Sequence, residues 1–266
     1  MDTISLWQLV ALAAASTLVG FSKTAVSGAN TISLAVFAAV LPARESTGVL
    51  LPILIVGDLL AVLVYRRHAH WPTLLRLFPA VAVGVVAGTV FLLWADDAAV
   101  RTSIGAILLF MTGVTLWRRR IAEKVAQGED ETATEEDETA TESEAGRGTG
   151  RTAARGYGVL GGFTTMVANA GGPVMSLYLL SAGFRKLGFL GTSAWFFLIL
   201  NVSKVPFSVG LGLIDARSLL LDACLVLFVL PGAYLGRVCV DRINQKVFDR
   251  IVIGATVVGG LQLLLI

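Results

Sequence analysis

Apolar residues occupy ten long stretches of this chain, and polar or small residues separate them. The stretches are about 4–22, 26–41, 47–65, 74–95 and 99–117, then 157–168, 171–182, 189–212, 217–238 and 247–265. A helix that crosses a bilayer needs about 20 mostly apolar residues. The shortest stretches, 157–168 and 171–182, favour re-entrant or broken helices. The pattern predicts an all-α integral membrane protein, with a bundle of about 8–10 transmembrane or re-entrant helices in the cell membrane.

The five stretches before residue 118 and the five after residue 156 carry the same landmarks in the same order. With offsets of 143 or 148 residues, the matched pairs are Gly28 and Gly171, Ser33 and Ser176, Asp58 and Asn201, Gly84 and Gly232, and Gly88 and Gly236. The last two pairs form G-x-x-x-G motifs, which let membrane helices approach closely. We therefore interpret residues 1–117 and 157–266 as two membrane repeats.

Basic residues indicate how the repeats are oriented. Arginine and lysine are concentrated in residues 66–76, 118–156, 184–186 and 237–246, and the positive-inside rule assigns such segments to the cytoplasm. Loops 42–46, 95–101 and 213–216 are poorer in basic residues and are predicted to lie outside. Corresponding loops of the two repeats then fall on opposite sides, so the repeats are predicted to be inverted, as in many secondary transporters.

Composition supports the membrane assignment and isolates one unusual segment. Hydrophobic residues make up 55% of the chain and charged residues 15%, against about 25% charged in soluble domains, which argues against a soluble enzyme. The net charge of +2 hides nine acidic residues in 129–144. We predict that linker 118–156 is an acidic, disordered cytoplasmic loop, either a tether between repeats or a regulatory contact.

Two polar interruptions of the apolar stretches are candidates for an anion-binding site. The first contains Ser22, Lys23, Thr24, Ser27, Gly28 and Asn30; the second contains Thr164, Thr165, Asn169, Gly171 and Gly172. Backbone that is opened at membrane depth tends to line a cavity, and a helix that restarts there points a positive dipole end into it. The alternatives are an ordinary cytoplasmic loop for the first interruption and plain helix packing for the second.

Three further polar residues fall inside long apolar stretches. Asn201 and Lys204 lie within 189–212, and Asp58 lies in the matching stretch 47–65. Such residues usually face a polar interior. We expect Asn201 and Lys204 to bind the substrate, unless the lysine reaches the membrane interface. Asp58 either exchanges a proton as an ion-coupling residue or pairs structurally with one of the lysines.

Other chemistry has little support in the sequence. No G-x-x-x-x-G-K-[ST] motif for nucleotide binding occurs. Ser27 lies in a rhomboid-like A-V-S-G, but the only histidines, His68 and His70, belong to a predicted cytoplasmic loop, where neither can act as its base. We therefore expect no enzyme activity, no cofactor, no metal and no nucleic-acid partner.

Taken together, these motifs resemble the TauE/SafE family of membrane permeases, which are described as sulfite or organosulfonate exporters. The resemblance rests on the two glycine-rich openings, the long helix with central Asp58, and W-P-x-L-L-R-L-x-P, which begins at Trp71 and is followed by two glycines. It implies a secondary transporter that exports sulfite, sulfoacetate or a similar anion by alternating access, with protons as a candidate coupling ion. The alternatives are a permease for another small anion, such as a carboxylate, and a non-transporting scaffold or receptor. Formation of a homodimer is left open.

Overall fold

The computed structural model describes residues 5–24, 30–129, 151–184, 186–239 and 245–265. Within these ranges the chain forms ten α-helices and no strand. The helices are α1 (Leu6–Thr24), α2 (Asn30–Val40), α3 (Ala43–Tyr65), α4 (Trp71–Trp94), α5 (Asp97–Glu129), α6 (Arg151–Ala168), α7 (Gly171–Ser181), α8 (Lys186–Gly210), α9 (Ala216–Cys239) and α10 (Gln245–Leu265). A short 3-10 helix, Arg66–His68, follows α3. The all-α prediction is confirmed, and each helix overlaps one of the ten apolar stretches.

Helix length separates full spans from half-spans. Six helical segments of the described residues are long and apolar enough to cross a membrane: Leu6–Thr24, Ala43–His68, Trp71–Trp94, Asp97–Trp117, Leu187–Gly210 and Ser218–Val238. Helices α2 and α7 have only 11 residues each. At 1.5 Å per residue each is about 16 Å long, roughly half the hydrocarbon thickness. Neither half-helix therefore crosses the membrane alone.

The bundle differs from a soluble protein in its apolar surface and in several polar side chains buried among its apolar core. Large apolar side chains are among the most exposed, including Trp94 at 86% and Leu265 at 81% exposure. Asp58, Asn201 and Lys204 are buried. An apolar exterior of this kind suits contact with lipid, so the multi-pass membrane prediction is confirmed.

The packing of the helices relates the two halves of the chain. Helix α1 packs along α9, and α4 packs along α6; α3 packs against α8, and α5 against α10. Suppose that each helix of α1–α5 is replaced by its counterpart in α6–α10, and the reverse. The pair α1–α9 then becomes the pair α6–α4, whereas the pairs α3–α8 and α5–α10 stay the same. This is the pairing that a two-fold relation between repeats requires.

The G-x-x-x-G motifs lie at the two matching helix contacts. A Cβ atom on Gly84 of α4 would collide with the carbonyl oxygen of Val159 on α6. A Cβ atom on Gly232 of α9 would likewise collide with the carbonyl oxygen of Thr17 on α1. Small residues at such positions allow close backbone approach, so these glycines set the distance within both helix pairs.

The ends of the predicted linker differ from the expected disordered loop. Helix α5 has 33 residues, about 50 Å, and continues beyond its apolar portion, which ends at Trp117. Helix α6 begins at Arg151, before the apolar stretch. Arginine, alanine, glutamate and lysine, which are frequent in 118–129, all favour helices. Residues 130–150, with most of the acidic tract, lie outside the described residues.

Candidate functional site

Both polar interruptions meet the centres of α3 and α8 around one internal cavity. The cavity has a volume of about 70 Å³ and is lined by residues of α1, α2, α3, α6, α7 and α8. That volume holds a few water-sized groups, so it suits a small ion better than a large organic ligand. The first interruption supplies Lys23 and the second supplies Asn169.

An ion pair and an amide define one wall of the cavity. The Nζ atom of Lys23 lies 2.5 Å from Oδ1 of Asp58. The side-chain amide of Asn201 donates to Oδ2 of the same carboxylate at 2.7 Å. The ammonium of Lys23 also lies 4.6 Å from the ring centre of Phe197, within the range of a cation–π interaction. Lys23 therefore joins α1 to both α3 and α8 at the cavity.

Lys204 lies behind the cavity wall, where it holds the break between α6 and α7. Its Nζ atom donates to the carbonyl oxygen of Thr165 and to Oδ1 of Asn169, each at 2.6 Å. Asn169 has a positive φ of 52° and its Nδ2 atom donates to the carbonyl oxygen of Thr47 on α3 at 3.0 Å. The ammonium of Lys204 thus fixes the second break to α8, while Asn169 fixes it to α3.

Side chains also satisfy the backbone at the first break. The hydroxyl of Tyr65 donates to the carbonyl oxygen of Thr24, the last residue of α1, at 3.0 Å. The backbone N–H of Asn30, the first residue of α2, donates to the hydroxyl oxygen of Ser22 at 3.0 Å. Non-helical backbone is tolerated at membrane depth only where protein or water satisfies it. These two bonds meet that requirement at the described ends of the break.

The N-terminus of α7 faces the cavity through a glycine. Gly172 lines the cavity, and a Cβ atom there would meet no other atom within 4 Å. The neighbouring Gly171 packs instead against the side chain of Thr165, with which a Cβ atom would collide. The first N–H groups of a helix lack partners within the helix and carry its positive dipole end. Gly172 therefore places the N-terminal turn of α7 at the cavity wall.

Most of the predicted site residues of the described chain line the cavity. Those that do are Ser22, Lys23, Asn30, Asp58, Thr165, Asn169, Gly172 and Asn201. Thr24, Thr164, Gly171 and Lys204 do not. Thr24 donates to the carbonyl oxygen of Ala233 on α9 at 2.9 Å, and Thr164 donates to that of Leu160 on its own helix at 2.8 Å. Ser27 and Gly28 lie outside the described residues.

Sequence reasoning missed seven lining residues: Leu54, Ala61, Ser176, Leu190, Ser193, Ala194 and Phe197. Helical spacing could have identified some of them, because they share a helix face with predicted site residues. Ser193, Phe197 and Asn201 recur every four residues on one face of α8, and Ser176 follows Gly172 by four residues on α7. No hydrogen bond joins the hydroxyl of Ser176 or Ser193 to another described residue. Both hydroxyls are therefore available to a bound ion.

The described part of the chain contains no cluster of potential metal ligands. No three histidine, cysteine, aspartate or glutamate side chains come together there in a way that could hold a metal ion. The chemistry of the cavity is instead that of hydrogen-bond donors, one ion pair and a helix N-terminus.

A polar cavity between broken helices, within a multi-pass bundle of paired halves, is the architecture of a membrane transport protein. Over residues 12–263 the chain matches the family described as sulfite exporter TauE/SafE, and it belongs to that family. The resemblance noted in the sequence is thereby confirmed, and with it the assignment to a family of membrane transporters. No curated protein and no solved structure matches the chain.

Proposed function

We propose that this protein is a secondary transporter that exports sulfite or a small sulfonate such as sulfoacetate. The observation that carries the proposal is the composition of the cavity wall. Lys23, the hydroxyls of Ser176 and Ser193, and the N-terminus of α7 surround one small volume. A cation, uncommitted hydroxyls and a helix N-terminus are the groups that proteins use to bind oxyanions.

Charge at the centre of the bundle favours an anion. Two lysines, Lys23 and Lys204, and one aspartate, Asp58, meet there. Lys204 is held next to the cavity by Thr165 and Asn169, which both line it. A buried ammonium group gains from a bound anion, because the surrounding lipid and apolar side chains provide little solvation.

The distribution of donors favours an anion with three or more oxygens. Ser176 lies on α7, Ser193 on α8 and Lys23 on α1, so their groups approach the cavity from three different helices. A sulfite ion or a sulfonate group presents three oxygens that such donors can share. A carboxylate presents two oxygens in one plane and uses fewer of the donors. The volume of about 70 Å³ further favours sulfite over larger sulfonates.

Alternating access would follow from the two-fold arrangement of the halves. Each half contributes one break to the cavity, and rocking of one half against the other would open the cavity to either side in turn. An anion that binds Lys23 competes with Asp58 for the same ammonium. Asp58 would then keep the neutral amide of Asn201 as its hydrogen-bond partner. We therefore propose Asp58 as the residue that exchanges a proton during the cycle.

The proposal is tested by anion flux in vesicles reconstituted with the purified protein. The substrates are labelled sulfite, sulfoacetate, thiosulfate and acetate, supplied with and without a pH gradient. We expect saturable flux of sulfite or sulfoacetate that exceeds acetate flux and depends on the gradient. A preference for acetate would reassign the protein to carboxylates. Absence of flux for every anion would contradict a transport function.

A matched pair of serine variants tests whether the transported anion binds in the cavity. Ser193→Ala removes a hydroxyl that lines the cavity, whereas Ser203→Ala removes an exposed hydroxyl of the same helix that bonds only to its own helix, at Leu200. A lost hydrogen bond to a charged group typically costs about 1.5–3 kcal/mol, which is roughly a 10- to 150-fold loss of affinity. We expect Ser193→Ala to raise the KM for sulfite and Ser203→Ala to leave it unchanged. Equal KM values would place the binding site elsewhere.

A further inference from the structure

A second polar feature lies on the outer face of the bundle and shares no lining residue with the central cavity. Helices α4 and α6 form a groove of about 470 Å³ between them. The groove is lined by two arginines and five apolar residues: Arg76, Pro79, Ala80, Val83, Ala154, Arg155 and Val159. We propose that it binds one anionic phospholipid, with the phosphate on the two arginines and an acyl chain along the apolar part.

The arginines are placed to receive a phosphate. Arg76 and Arg155 are both exposed and line the same groove from different helices. No ion pair or hydrogen bond joins either guanidinium to another described residue. Arginine binds phosphate oxygens in a bidentate manner and is more weakly hydrated than lysine. Two such groups, with no carboxylate partner among the described residues, provide strong charge complementarity for one phosphate.

The position of the arginines along their helices matches the depth of a lipid headgroup. Arg76 is the sixth residue of α4 and Arg155 the fifth residue of α6. The two helices run parallel, and both begin on the arginine-rich side that the positive-inside rule assigns to the cytoplasm. Trp71, which is 44% exposed at the start of α4, is of the type that marks the membrane interface.

The rest of the groove suits an acyl chain. Beyond the arginines, toward the membrane centre, the wall consists of apolar side chains such as Val83 and Val159. Val83 is 59% exposed on the lipid-facing surface. A free phosphate ion would use only the arginines, whereas a phospholipid fills both parts. Basic pockets between membrane helices on the cytoplasmic side are known sites for anionic headgroups.

The matching helix pair shows that packing does not require the arginines. The contact of Gly84 with Val159 corresponds to the contact of Gly232 with Thr17 between α9 and α1. These contacts match Val159 with Thr17, an offset of 142 residues, and Gly84 with Gly232, an offset of 148 residues, so Arg155 falls on Ala13 and Arg76 falls on Cys224. Helices α1 and α9 therefore pack in the same way with two small uncharged residues at these positions. The arginines are a feature of one groove only, as a ligand site on one side of the membrane requires.

The test measures lipid binding to the full chain in neutral detergent. The midpoint of thermal unfolding is followed while phosphatidylglycerol or phosphatidylcholine with identical acyl chains is added, and native mass spectrometry counts the retained lipids. The variant R76Q/R155Q removes the proposed headgroup contacts. The control R66Q/R67Q removes the same charge from two exposed arginines of the 3-10 helix, outside the groove.

We expect one phosphatidylglycerol to be retained and to raise the unfolding midpoint more than phosphatidylcholine does. From the typical contribution of a basic residue near an anionic membrane surface, the double variant should bind phosphatidylglycerol about 30-fold more weakly, while the control should bind as wild type does. Equal effects of the two lipids, or equal losses in variant and control, would overturn the proposal. Equal protection by soluble glycerol phosphate would also overturn it, because the site would then be one for a free phosphate ester.

Discussion

Asp58 and Asn201 lie at corresponding positions of the two predicted repeats, and the side-chain amide of Asn201 donates a hydrogen bond to Asp58 at 2.7 Å. Corresponding residues of two halves can touch each other only if both lie close to the two-fold axis that would relate the halves. Two aspartates there would place two buried carboxylates side by side, which like-charge repulsion disfavours. The difference between the halves at this position therefore has a physical reason: one residue supplies the charge and the other supplies the donor that stabilises it.

Removal of the Asn201 amide should destabilise the bundle. Asn201→Ala leaves Oδ2 of the buried Asp58 carboxylate without its donor, and a hydrogen bond to a charged group typically contributes about 1.5–3 kcal/mol. The midpoint of thermal unfolding in detergent measures the loss. The control is Ser203→Ala, an exposed position on the same helix, which should change the free energy of unfolding by less than about 0.5 kcal/mol. Equal midpoints for the two variants would contradict a stabilising role of the Asp58–Asn201 bond.

The ion pair between Lys23 and Asp58 should behave as a unit in stability measurements. Lys23→Gln or Asp58→Asn alone leaves one buried charge without its partner, and breaking a buried pair in this way typically costs about 3–5 kcal/mol. The double variant K23Q/D58N leaves no charge of the pair behind. We expect its unfolding midpoint to recover most of the loss of the single variants. Additive losses in the double variant would show that the two side chains act independently.

The break between α6 and α7 should depend on both the backbone and the side chain of Asn169. Its φ of 52° is accessible to asparagine and glycine but costs other residues about 1–2 kcal/mol. Asn169→Ala and Asn169→Gly both lose the bonds to Lys204 and Thr47, and only the alanine adds backbone strain. The alanine variant should therefore unfold at the lower temperature. The reverse order would indicate that the positive φ does not hold in the folded protein.

The glycines of the two helix pairs should be equally intolerant of a methyl group. Gly84→Ala and Gly232→Ala each force a Cβ atom against the backbone of the partner helix. Overpacking of this kind typically costs about 1–3 kcal/mol. Gly113→Ala is the control, since a Cβ atom on this α5 residue meets nothing within 4 Å and alanine favours helix by about 0.5–1 kcal/mol. A large loss at only one of the two contacts would argue against their equivalence.

Hydrophobic patterning predicted the helices well because membrane helices must satisfy their own backbone. Each of the ten apolar stretches corresponds to a helix. The spacing of the predicted repeats matches Asp58 with Asn201 but does not indicate that their side chains touch. Helices α5 and α6 extend into the predicted linker, since the composition of 118–129 permits a helix that hydrophobicity does not signal.

The side-chain geometry of the site was less accessible to sequence reasoning. Lys204 was expected to bind the substrate, yet its long side chain reaches the α6–α7 break and lies behind the cavity wall. Ser193 has no polar neighbour in sequence except Thr192, and only its helical register with Asn201 places it at the cavity. Sequence spacing shows which residues share one face of a helix. It does not show which groups a long side chain contacts, because those contacts depend on which helix packs against that face.

In the proposed function, a sulfur oxyanion binds in the cavity through Lys23. The most direct test of this binding is the flux of labelled sulfite into vesicles that contain wild-type protein or the charge-neutral variant K23Q/D58N at equal amounts of folded protein. We expect saturable sulfite flux for the wild type and its loss in the double variant, although the variant remains folded. Sulfite flux at the wild-type rate in the folded double variant would contradict the proposal.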